Sequence, residues 1–103
     1  MAVRQIATYQ VKAAAVERVK AAIAEFVDYV EAHEPGTRLY MAWQERDDPT
    51  RFAHLFLFQD EAAHAAHGRS DAVKRFQAVY KPELVGAGRV VFTDYEAIAE
   101  KND

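Results

Sequence analysis

The chain changes its hydrophobic period four times, and each change marks an element. Residues 3–11 alternate weakly and carry Val3, Ile6, Thr8, Tyr9 and Val11, β-formers that read as a first strand. From residue 14 the spacing becomes helical. Val16, Val19, Ile23, Phe26, Val27 and Val30 form one stripe, with Glu17, Arg18, Lys20, Glu25, Asp28 and Glu31 filling the other side, so the pattern predicts an amphipathic helix ending near His33. Glu34-Pro35-Gly36 stops it, since proline disfavours helix in the residue before it and glycine permits the turn.

Residues 37–46 and 51–59 read as a second and third strand joined by the polar turn Asp47-Asp48-Pro49-Thr50, which makes the pair a hairpin. Alternation in the third strand puts Phe52, His54, Phe56 and Phe58 on one face and Ala53, Leu55 and Leu57 on the other. Both faces are apolar, so this strand is expected to be covered on both sides. Asp60 is placed to cap a short helical stretch over 60–67, Gly68 interrupts it, and a second piece from Ser70 carries Val73, Phe76, Val79 and Tyr80 until Lys81-Pro82 closes it. A glycine-containing turn, Gly86-Ala87-Gly88, leads into a fourth strand over 89–98, and the charged tail 100–103 is expected to fray.

Strand, helix, strand, strand, helix, strand is the order of a ferredoxin-like α+β fold. Right-handed crossovers place the helices on one face of a four-stranded antiparallel sheet. The other face is then left uncovered. Because the third strand is apolar there too, the pattern predicts a homodimer in which two sheets close into an α/β barrel.

Composition narrows the function. The 103 residues form one expected domain without repeats or linkers, and thirteen Lys plus Arg against sixteen Asp plus Glu give a net charge of -3. No basic field is present to attract nucleic acid or anionic lipid, and no apolar run approaches the roughly 18 residues of a membrane span. The absence of cysteine removes thiolate and iron–sulfur chemistry and suits a reducing compartment, so the cytoplasm is the expected location. Ser70, the one serine, sits in G-R-S-D-A rather than a nucleophile elbow, and Gly86 and Gly88 lack the lysine and following helix of a phosphate loop.

The stretch D-E-A-A-H-A-A-H-G-R-S (60–70), Phe76 six residues beyond it, the Glu34-Pro35-Gly36 turn and the ending Asp94-Tyr95-Glu96-Ala97-Ile98-Ala99 resemble the antibiotic biosynthesis monooxygenase family of small quinol-type oxygenases. The resemblance implies a dimeric barrel with an apolar pocket between sheet and helices. It also implies oxidation of an electron-rich aromatic diol by dioxygen without a cofactor, the protein supplying a base, orientation and a dry cavity. Where the family pattern has a polar residue, an acid and a tryptophan along the third strand, this chain has His54, Phe56 and Phe58. In haem-degrading cousins the axial histidine lies on the second helix, where Gln77 aligns here, so haem use is disfavoured.

His54, flanked by aromatic residues and expected opposite Trp43 if the hairpin turn has four residues, is the leading candidate base, because imidazole with an ordinary pKa of about 6.5 suits a phenolic proton. The plainer alternative is a core histidine with satisfied hydrogen bonds. His64 and His67 are further catalytic candidates, His67 matching the family's H-x-x-S, although its place before Gly68 also suits a helix C-terminus. Trp43, Phe52, Phe56, Phe58 and Tyr95 are expected to line the substrate site. Glu61, His64 and His67 recur at intervals of three, yet E-x-x-H-x-x-H is not the zincin H-E-x-x-H, and no metal is expected. Two functions stay open: a monooxygenase of phenolic or quinol-like aromatics, and a non-catalytic barrel that binds a small aromatic or apolar ligand.

Overall fold

The computed structural model describes residues 1–86 and 88–101. Strand β1 (Val3–Gln10) leads through a 3-10 turn (Ala13–Ala15) into helix α1 (Val16–His33). Strands β2 (Thr37–Gln44) and β3 (Arg51–Phe58) follow, then α2 (Glu61–Gly68), α3 (Asp71–Tyr80), a second 3-10 turn (Lys81–Glu83) and β4 (Val91–Tyr95). The four strands form one antiparallel sheet in the order β2-β3-β1-β4, the ferredoxin-like α+β arrangement, open at both edges in the single chain.

The stripe of α1 is what holds the helical layer to the sheet. Val16, Val19, Ile23, Phe26 and Val30 are its buried residues, and they share one core cluster with Tyr9, Phe52, Ala72, Phe76 and Tyr80. Phe26 stacks on Phe76 with ring centroids 5.1 Å apart, which fastens α1 to α3. The two shorter helices start where side chains take up free backbone donors: Asp60 accepts from Ala63 N at 2.8 Å and Ser70 accepts from Val73 N at 3.1 Å.

β3 alternates as expected, with Phe52, His54, Phe56 and Phe58 buried beneath the helices. Register carries the other face across the sheet: Leu39 is paired with Leu57, Met41 with Leu55 and Trp43 with Ala53. On that face Leu39, Trp43, Val91 and Tyr95 are exposed. It is an apolar surface that no helix of this chain covers.

Two expectations change. The fourth strand is five residues long rather than ten: it pairs with β1 only from Arg4 to Thr8, since further along β1 Gln10 O accepts from Val85 N and Val11 bridges to Leu84, and past Tyr95 the described residues form no strand and Ile98 is exposed. Glu100, at the start of the charged tail, makes a 2.8 Å ion pair with Arg4, both side chains partly exposed. Ala87 of the glycine turn and residues 102–103 lie outside the described residues.

The second change is the hairpin. Glu45 N donates to Arg51 O at 2.9 Å, so Glu45 stands opposite Arg51 and the loop is one residue longer than the expected four. His54 is therefore opposite Ala42, not Trp43. Since side chains alternate with period two, that single residue puts Trp43 on the face away from His54.

Gly36 is where the α1–β2 turn meets α2. A Cβ built on it would lie 2.7 Å from Ala63 Cβ, so only glycine lets the two segments touch. Gly36→Ala is expected to cost about 1–3 kcal/mol by overpacking. Gly68→Ala, where a Cβ meets nothing within 4 Å, should be neutral or stabilise by up to about 1 kcal/mol. Urea unfolding of the two variants checks this, and equal midpoints would contradict it.

Candidate functional site

Between the sheet and the helices lies a cavity of about 190 Å³. Its walls are mostly aromatic: Phe26 from α1, Tyr40 from β2, Phe56 from β3, Phe76 from α3 and Phe92 from β4 all border it. His54, His64 and His67 border it as well, together with Gln77. The space thus combines apolar walls with three imidazoles, the combination a small aromatic ligand with a polar substituent requires.

His54 is 2 % exposed, a polar side chain in the middle of an apolar strand face. Such a group costs several kcal/mol unless its hydrogen bonds are made inside the protein. Both are made. Tyr9 OH on β1 lies 2.8 Å from Nε2, and Tyr40 OH on β2 lies 2.8 Å from Nδ1. A neutral imidazole has one N–H and one lone pair, so one tyrosine donates to the ring and the other accepts from it. Burial pushes the His54 ring down to about 4, so it is neutral at physiological pH. Burial also raises both phenols, helped by neighbouring tyrosines and, for Tyr40, by Glu34. The result is a neutral tyrosine–histidine–tyrosine bridge, with Phe76 stacked on the imidazole at 5.7 Å.

His67 is held differently. Its Nδ1 is 2.7 Å from Glu34 Oε1, which also accepts from Thr37 Oγ1 at 2.9 Å. Both side chains are largely buried, at 11 % and 14 % exposure. A carboxylate can only accept, which assigns the ring proton to Nδ1 and leaves the Nε2 lone pair unused. Among the described residues Glu34 Oε2 is buried without a partner. His64, by contrast, is partly exposed, stacks on Phe58 at 4.9 Å, and lies 3.8 Å from a carboxylate oxygen of the exposed Glu61.

The remaining sequence candidates divide between the two faces. Phe56 is a cavity wall. Phe58 and Phe52 are buried behind the cavity lining, Phe58 against the rings of His64 and His67 and Phe52 stacked on Tyr9 at 5.6 Å. Trp43 and Tyr95 lie across the sheet from the cavity, half exposed, with Trp43 in a shallow hollow beside Thr8 and Arg51. Glu61, His64 and His67 do not gather, since His67 turns to Glu34, and no three potential metal ligands cluster among the described residues. Tyr9 and Glu34 are the site residues that sequence reading passed over. Tyr9 registers only as a strand former and Glu34 only as part of the turn that ends the helix, because their partners are 45 and 33 residues away.

The unfolded His54 ring binds a proton below about pH 6.5, the buried one only below about 4. Its contribution is therefore complete above pH 6.5 and is lost as the pH falls toward 4, a swing on the order of 3 kcal/mol. Urea unfolding from pH 7.5 to 4 is expected to show this decline in the wild type and a shallower one in His54→Gln. Parallel curves would contradict a buried neutral ring.

Residues 2–79 match the family described as antibiotic biosynthesis monooxygenase. Among solved structures, a protein from Bacteriodes thetaiotaomicron provisionally named as such a monooxygenase superposes with a TM-score of 0.89 at 17% identity, covering 99% of this chain and 94% of that one. A similarly named protein from Caulobacter crescentus gives 0.86 at 22% identity, covering 95% and 91%. Rv0793 from Mycobacterium tuberculosis gives 0.85 at 18%, covering 99% and 100%. These likenesses are of fold. No curated protein matches the chain.

Proposed function

From the chain's place in the antibiotic biosynthesis monooxygenase family, to which it belongs, we propose that it oxidises a small phenolic or quinol-like aromatic with dioxygen in the cavity under the helices, without a cofactor. The observation that carries the reading is the cavity itself, a mostly aromatic space bordered by three histidines. Its volume of about 190 Å³ favours a single substituted ring, since an apolar cavity of about 150 Å³ holds benzene.

The chemistry needs no external reductant. A cavity histidine takes the phenolic proton, and the electron-rich phenolate gives an electron to dioxygen. The radical pair then forms a carbon–oxygen bond, giving a ring peroxide. Breaking the O–O bond leaves one oxygen on the ring as a carbonyl or its enol, while the other departs as water with the ring hydrogen and the proton returned by the base. For a hydroquinone the sum is hydroxyquinone plus water. The protein's share is deprotonation, orientation and exclusion of solvent. His54 fixes the hydroxyls of Tyr9 and Tyr40 in the cavity wall, while His64 and His67 border the same space.

The uncovered face has its own role in this reading. Leu39, Trp43, Leu57, Val91 and Tyr95 form the contact of a homodimer, and closing two such sheets into a barrel removes an apolar surface from water. The cysteine-free chain is suited to work in the cytoplasm. A second reading, a ligand-binding barrel without turnover, is favoured by one observation: Phe56 and Phe58 stand where an acid and a tryptophan are found in the family pattern.

Oxygen uptake with a panel of single-ring hydroquinones decides between the two. The expected result is uptake well above the spontaneous rate by protein free of metal and flavin; binding without added uptake would establish the binder. Sedimentation is expected to give a dimer at micromolar concentration for the wild type and a monomer for Trp43→Lys. A monomeric wild type would remove the assembly from the proposal.

A further inference from the structure

We infer that His67 and Glu34 form the proton-accepting pair of this site, His67 Nε2 receiving the substrate's phenolic proton and Glu34 serving as the positioning residue. The inference rests on the reading that a phenol occupies the cavity, and it distinguishes among the histidines bordering that space.

His54 has no lone pair to offer, because each ring nitrogen is taken by a tyrosine hydroxyl. His64 faces an exposed carboxylate 3.8 Å away, a pair that water screens. His33 lies against Tyr29 at the end of α1 and does not border the cavity. His67 borders it with one nitrogen anchored and the other free among the described residues. The Glu34 oxygen 2.7 Å from Nδ1 fixes the tautomer and ring orientation, and its charge stabilises the imidazolium formed when Nε2 accepts a proton. Aromatic rings of Phe26, Tyr40, Phe56 and Phe58, with centroids 5.0 to 6.2 Å from that of His67, keep the pair in a weakly screening environment.

The fold builds the pair deliberately from distant pieces. Glu34 caps the C-terminal end of α1, immediately before the Pro35-Gly36 turn. Gly36 allows Ala63 of α2 against that turn, and His67 is one helical turn beyond Ala63 on the same face. Close approach at Gly36 therefore delivers His67 to Glu34. Glu34 faces the ring through Oε1, while its second oxygen, Oε2, has no partner among the described residues. No net proton is consumed, because the one taken from the phenol is returned to the departing water.

4-Nitrophenol tests the pair without any oxygenation, because its phenolate absorbs in the visible while the phenol does not. Bound to the wild type slightly below the pH at which half of the free compound is ionised, it is expected to show a larger phenolate fraction than in solution. His67→Gln should return that fraction to the solution value, and Glu34→Gln should reduce it. Ring 15N shifts of the wild type are expected to show His67 protonated at Nδ1 and not Nε2. With a hydroquinone that is turned over, His67→Gln should lower kcat about a hundredfold with KM little changed, and formate should partly restore Glu34→Ala. An Nε2–H tautomer in the wild type, or a folded His67→Gln with an unchanged nitrophenolate spectrum, overturns the inference. A wild type that ionises nitrophenol through His67 yet oxidises no hydroquinone leaves the pair standing and overturns the oxygenase reading. Failure to bind nitrophenol overturns both.

Discussion

Three neighbouring strands are fastened through one imidazole. Tyr9 of β1 and Tyr40 of β2 each bond a ring nitrogen of His54 on β3, so the middle of the helix-facing sheet surface is a polar bridge inside an apolar layer. The bridge is stable only if complete. Removing either hydroxyl strands a buried nitrogen at a cost of about 1–3 kcal/mol, and removing the ring strands two hydroxyls. Completeness in turn dictates chemistry: a ring bonded on both sides and buried to this degree stays neutral, so it orders the cavity wall rather than carrying charge into it. Phe76 on the imidazole and Phe56 on Tyr40 extend that order to the rest of the lining.

The second determinant is a missing methyl group. Gly36 admits α2 to the turn that ends α1, and the contact brings the His67 ring to Glu34. The sheet thereby separates two tasks. Its covered face carries His54 and the floor of the cavity, while its uncovered face carries Trp43, Tyr95 and the leucines in a layer suited to a second copy. The phenylalanines of β3 serve the first task and Leu55 and Leu57 the second, which is why the strand is apolar on both sides.

What could be read from sequence was local and periodic. The α1 stripe, the alternation of β3 and the caps at Asp60 and Ser70 depend on spacings of two to four residues, and the structure places them as the pattern predicts. Long-range pairing was not legible. Nothing near Tyr9 announces His54, and nothing near Glu34 announces His67. The length of β4 depends on how β1 is shared, Arg4 to Thr8 being left to β4 while Gln10 and Val11 are bonded by Val85 and Leu84, pairings between residues far apart in the sequence. Trp43 shows how sharp the limit is: one additional residue in a polar loop, invisible to composition, moved it from the expected pocket to the opposite face.

In the proposed reaction the tyrosines, histidines and carboxylate move a proton and leave the electrons to the substrate. The most direct measurement is the fate of isotopic dioxygen. With 18O2 and a single-ring hydroquinone, in metal-chelated buffer, the account predicts one 18O atom in the quinone product and the other in water, at a rate set by the protein. Product formed without label, or label entering only as hydrogen peroxide, would contradict it.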